Sequence, residues 1–219
     1  MKDQLALRLA PIVIAVAYAV ATFLPVLPEG VDSDAQVLAL VNEADSRTAI
    51  LVGGGALTIA GLIALGWAAL VATRLDHDRG WLARAVLAGG LGYGLMLMLA
   101  ATAFTGVATG IAVGELPPAE DPYLVRLVSD LGFHLLLVPG LLAASLMVAA
   151  ATALGRRAGM LPTPVVVVSA VIVPLLWAGP LWAPQFLVPI WMLMVGLTLR
   201  SDRAVQSSVK VSNRESAAA

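Results

Sequence analysis

Six nearly unbroken apolar stretches run along the chain, at about residues 9–27, 48–73, 83–113, 123–155, 161–179 and 183–199, with short polar segments between them. A helix rises 1.5 Å per residue, so about 20 apolar residues carry it across a hydrocarbon layer roughly 30 Å thick. The last two stretches form one apolar block, 161–199, too long for a single crossing. Gly179, Pro180 and Pro184 interrupt its middle. Proline breaks helices and glycine ends them, so a tight hairpin is predicted there. Pro139, Pro174 and Pro189 should kink or loosen the spans that hold them. The predicted fold class is all-α: a polytopic membrane protein, a six-transmembrane-helix bundle over residues 1–200 with a polar, disordered tail at 201–219. Between the first two spans, Ser33 and Gln36 have capping-box spacing ahead of Val37, Leu38, Leu40 and Val41. That pattern fits a short surface helix, with an irregular loop as the alternative. The first span follows Lys2 and Arg8, and Ala15 and Ala17 mimic a signal-peptide cleavage pattern. Its apolar run exceeds the usual signal-peptide core of about 7–15 residues, so it is read as an uncleaved helix.

Composition sharpens this picture. Hydrophobic residues make up 60% of the 219 positions and charged residues 12%, and the mean hydropathy is +0.93. A soluble chain of this size could not bury so much apolar surface. A disordered chain, a nucleic-acid binder and an ordinary cytosolic enzyme are excluded, and the expected partner is the lipid bilayer. The chain has no cysteine, which excludes disulfides, thiolate metal sites and cysteine nucleophiles. The net charge is only −1, but the charges are ordered. Lys2, Arg8, Arg74, Arg79, Arg84, Arg156, Arg157, Arg200, Arg203, Lys210 and Arg214 fall on one side of six spans; Arg47 and Arg126 fall on the other. The opposite loops carry Glu29, Asp32, Asp34, Glu43 and Asp45, then Glu115, Glu120 and Asp121. Positive residues stay inside, so both termini are predicted to be cytoplasmic. Trp177 and Trp182 fit an outer aromatic belt, and Trp67 and Trp81 lie nearer the inner face.

Lipid tails are as apolar as leucine, so spans associate through close approach of small residues. The third span carries Gly90-x-x-x-Gly94 and then Gly106, Gly110 and Gly114; the second carries Gly53, Gly54, Gly55 and Gly61. These two spans are expected at the centre of the bundle. The cluster Gly89-Gly90-x-Gly92-x-Gly94 lacks the strand–turn–helix setting of a nucleotide loop and is assigned to packing.

One polar constellation stands out. Arg126, Asp130 and His134 are spaced four apart, which puts them on one face of the fourth span. Read functionally, Asp130 orients and charges His134 for proton transfer or ligand binding, and Arg126 tunes Asp130. Thr102, Thr105, Thr109 and Tyr93 could add hydroxyls from the third span. Read structurally, the three form an interfacial salt-bridged helix start. Depth favours the second view: with Arg156 as the inner boundary, Asp130 lies about 39 Å and His134 about 33 Å along a straight helix. Asp76-His77-Asp78 is read as a solvated turn, not a metal site. A bis-histidine haem would need two membrane histidines, and only His134 qualifies. Ser129 and Ser145 lack a dyad partner beyond a Ser129–His134 pairing. No metal or cofactor is predicted.

Three segments carry a resemblance: Asn42-Glu43-Ala44-Asp45-Ser46-Arg47 entering the second span, Asp130 to His134 opening the fourth, and Gly159-Met160-Leu161-Pro162 opening the fifth. With the layout of spans, they resemble a group of uncharacterised bacterial six-span integral membrane proteins, classed as a domain of unknown function. Thr163 stands where such proteins often carry a basic residue. The resemblance implies the topology and a polar position at His134, and implies no activity. The preference for Arg over Lys, with abundant Ala, Gly, Val and Leu, is similar to that of high-GC bacteria such as actinobacteria, which places the chain in a bacterial cytoplasmic membrane. The expected function is a non-enzymatic structural or regulatory protein, or a small permease-like module, with a membrane-protein partner or a second copy. The alternative is a membrane enzyme or ligand-binding protein using Asp130 and His134.

Overall fold

A computed structural model describes residues 2–25, 32–75 and 80–199. Glu29, residues 76–78 with His77, Arg79 and residues 200–219 lie outside the described residues. Within them every regular element is helical: α1 (Lys2–Phe23), α2 (Asp34–Asn42), α3 (Ala44–Leu75), α4 (Trp81–Ala112), α5 (Pro122–Leu135), α6 (Leu141–Arg157), α7 (Thr163–Leu176) and α8 (Leu187–Thr198). Pro139 cannot donate to the carbonyl four residues back. The chain answers with a π segment at Leu136–Gly140 that joins α5 to α6, so the two run on as one broken rod. Four helical stretches are long and apolar enough to cross a membrane: α1, α3, α4 and the α5–α6 rod. The hairpin expected from the 161–199 block forms, but its arms are short. At 14 and 12 residues, α7 and α8 reach only about 21 and 18 Å. The shortfall arises because residues 177–186 go into two 3-10 turns, Gly179–Leu181 and Ala183–Phe186.

The helices close into a ring in which α1 packs on α3, α3 on α4, α4 on α6, α6 on α7, and α8 returns to α1. The α3–α4 interface is the most extensive, as the glycine pattern led one to expect. Trp67, Trp191, Tyr18, Tyr93, Leu97 and Met147 fill the interior and are almost fully buried. Trp67 therefore belongs to the core. The outer surface carries Leu62, Leu91, Val171 and Leu197, each more than half exposed. Apolar side chains presented on successive helices around a bundle are matched by lipid.

Gly61 and Gly94 meet face to face. A Cβ on either would lie 2.7 Å from the other's carbonyl oxygen, so the α3 and α4 backbones can touch only because both side chains are absent. A Cβ on Gly90 would collide with that of Ala68. The same role was expected of Gly106 and Gly110, and here the structure differs. Gly106 is exposed with nothing near it, and Gly110 packs on Leu116 of its own chain end. The reason is the helix terminus. Glu115 N–H donates to the Gly110 carbonyl and Gly114 N–H to Ile111, with Gly114 at φ +76°. This is a glycine-terminated Schellman cap. The α6 terminus repeats it: Met160 N–H donates to Gly155, Gly159 N–H to Arg156, with φ +66° at Gly159 and Leu161 folded onto Gly155. The shared string Gly-x-x-x-Gly-x-Leu-Pro at 110–117 and 155–162 is thus a stop signal. Spacing alone cannot separate it from an interhelical motif.

Candidate functional site

The end of the bundle opposite Arg156 carries a small cap. Ser33 accepts from Gln36 N–H while the Gln36 side chain accepts from Ser33 N–H, so the capping box forms and α2 is a helix. Val37 and Val41 of α2 pack with Ile50, Ala108 and Val125 in a second hydrophobic cluster over the ends of α3, α4 and α5. Asn42 clamps the 113–121 connection: its Nδ2 donates to the Ala119 carbonyl at 2.9 Å and its Oδ1 accepts from Ala119 N–H at 2.8 Å. Arg47 donates to the Val41 and Asn42 carbonyls, satisfying acceptors that the end of α2 leaves free.

The side chains of Arg126, Asp130 and His134 do not bond to one another. Arg126 turns to α2, pairing with Asp34 at 2.6 Å and donating to the Asp32 carbonyl. It ties α5 to the cap. His134 contacts the backbone carbonyl of Asp130 through Nδ1 at 2.7 Å, so the Asp130 carboxylate does not orient it. Asp130 and His134 are both exposed, whereas Ser129 is buried; the Ser129–His134 pairing does not form. The two arginines that broke the charge alternation, Arg47 and Arg126, are both held by α2. Among the described residues, no group of three or more His, Asp or Glu is placed to hold a metal.

The polar chemistry of the interior lies elsewhere. Pro11 sits inside α1 and leaves the Leu7 carbonyl without its helical donor. The indole N–H of Trp67 donates to that carbonyl at 3.1 Å from α3. Trp67 meets Trp191 edge to face with centroids 5.8 Å apart. Trp191 in turn donates to Ser169 Oγ at 2.9 Å, and Ser169 to the Val165 carbonyl at 2.7 Å. Higher in the bundle, Tyr18 OH donates to Gln185 Oε1 at 2.7 Å, both groups buried. The hairpin tip is fixed by Trp177, which donates to Ser145 Oγ at 3.2 Å. It is fixed too by Gly179, where a Cβ would strike the Leu137 carbonyl of the π segment. Trp182 takes φ +64° and ψ −50° there, a strained conformation for a bulky residue. Sequence reading passed over Pro11, Trp191 and Gln185. The available signal was that Gln185 is the only amide in the 161–199 block, and an amide in lipid-level surroundings needs a partner.

Two grooves remain. One, of about 650 Å³, lies between α3 and α4 and includes Thr58, Thr102, Thr105, Thr109 and Glu115. Thr58, Thr102 and Thr105 donate to carbonyls of their own helices, at Gly54, Met98 and Ala101. The other, of about 660 Å³, lies between α6 and α7 and ends at Arg156 and Arg157.

With every regular element among the described residues helical, four helices of crossing length and an apolar exterior, the chain is a membrane protein. Comparison with family models, with curated proteins and with solved structures finds no match.

Proposed function

We propose that the chain is a non-enzymatic, structural or regulatory protein of a bacterial cytoplasmic membrane, threaded six times with both termini inside. The observation that carries this reading is where the interior hydrogen bonds go. Tyr18–Gln185, Trp67–Leu7 and Trp191–Ser169 join helices to one another, which is the use expected of polar groups that hold a bundle together. The charge order along the loops supports the orientation. The segments at 42–47, 130–134 and 159–162 support membership of the six-span group named above. A second reading, a small permease-like or ligand-binding module, draws on the threonine groove between α3 and α4.

The absence of native cysteine makes the test direct. Single cysteines at Ser33, Glu115 and Leu181 should react with an impermeant maleimide in intact cells, and one at Ser207 only after permeabilisation. Reaction at Ser207 in intact cells would overturn the orientation. Silence at Leu181 would reduce the hairpin to a re-entrant loop. For function, Asp130→Ala with His134→Ala should leave both abundance and complementation of a deletion strain unchanged. Lost complementation at normal abundance would restore the enzyme reading.

A further inference from the structure

We propose that the groove between α6 and α7 seats one anionic glycerophospholipid, its phosphate on Arg156 and Arg157 and one acyl chain along the groove floor. The proposal rests on the membrane reading above, with the C-terminal end of α6 at a membrane surface. Three observations meet in this groove. First, Arg156 and Arg157 stand at its mouth, exposed, and make no ion pair or hydrogen bond with another described side chain. Guanidinium groups suit a phosphate because their fork of N–H donors matches its oxygens. Second, the hydroxyl of Thr152 is buried without any hydrogen-bond partner, and the residue is only 9% exposed. Its neighbour across the groove, Ser169, has no such vacancy, because it serves Trp191 and Val165. An orphaned hydroxyl at lipid depth is costly, and a ligand acceptor removes the cost. Third, Ala149, Ala153 and Ala170 line the groove beside Val166 and Val173, small side chains that leave a trough larger ones would fill.

The depths agree with one molecule. Thr152 lies one helical turn below Arg156, about 6 Å deeper. That is where the ester carbonyls of a glycerolipid fall when its phosphate sits at the arginines. Ala149 and Val173 lie deeper still, at the level of an acyl chain. A free phosphate would satisfy the arginines but would leave both Thr152 and the apolar trough uncovered.

The full chain, purified in mixed micelles with equal amounts of phosphatidylglycerol and phosphatidylcholine of the same acyl chains, tests this by native mass spectrometry. One phosphatidylglycerol should be retained over phosphatidylcholine by about thirtyfold, the scale of two interfacial arginines. Arg156→Gln with Arg157→Gln should abolish the preference, and Thr152→Val should reduce it severalfold. Arg84→Gln, an exposed arginine on α4 outside the groove, should leave it intact. Equal retention of the two lipids would overturn the proposal. So would an equal loss with Arg84→Gln, or displacement by excess inorganic phosphate. A chain that sediments with membranes yet shows no preference refutes the lipid site alone. A chain recovered from the aqueous fraction refutes the membrane reading beneath it.

Discussion

Replacing Trp67 with phenylalanine should destabilise the bundle chiefly by stranding one carbonyl, and the chain supplies its own control. The Leu7 carbonyl has lost its helical donor to Pro11 and is capped at 3.1 Å by the Trp67 indole. In Trp67→Phe that buried acceptor is left unpaired, at about 1–3 kcal/mol. The smaller ring adds about 1 kcal/mol of lost contact, part of it the edge-to-face packing on Trp191. The total is about 2–4 kcal/mol. Pro11→Ala restores an N–H four residues beyond Leu7, so the helix caps the carbonyl itself. In that background Trp67→Phe should cost only the contact term. The coupling between the two sites should therefore be about 1–3 kcal/mol. Reversible unfolding by increasing dodecyl sulfate in mixed micelles, followed by helical circular dichroism, measures all four corners of the cycle. A coupling below about 0.3 kcal/mol would show that the carbonyl does not depend on Trp67.

Gly94→Ala should destabilise by about 1–3 kcal/mol in the same assay, since its Cβ would meet the Gly61 carbonyl, which no rotamer change can move. Gly106→Ala, a little over three helical turns from that contact in the same apparent motif and with open space around it, should instead be neutral or stabilise by up to about 1 kcal/mol through helix propensity. Arg126→Gln should leave core unfolding within about 1 kcal/mol, because its partner Asp34 is 74% exposed and the bridge is screened. It should nonetheless speed limited proteolysis between α1 and α3 by freeing α2, and Asn42→Ala should do so more strongly by removing both bonds to Ala119. Unchanged digestion of both variants would show that α2 is held by its hydrophobic contacts alone.

Much of this molecule is legible along the chain because the bilayer imposes a one-dimensional rule. Whether a stretch can cross depends on its length and hydropathy, both local properties. That is why the long helices, the break near Gly179–Pro184 and the Pro139 irregularity were legible in the sequence, whereas the Ser33–Gln36 spacing left a helix and a loop both open. The end of each helix was less so. Gly106, Gly110 and Gly114 share one spacing, yet only the backbone at Gly114, with its positive φ, shows that the helix stops there. The tertiary structure alone decided what lies opposite what. Arg126 sits four residues from Asp130 in sequence but bonds Asp34, because α2 folds over α5. Leu7 finds Trp67, and Tyr18 finds Gln185 across 167 residues. Hydrogen bonds and backbone contacts act over about 3 Å, so their partners follow from the packing of the ring and not from the order of residues along any one helix.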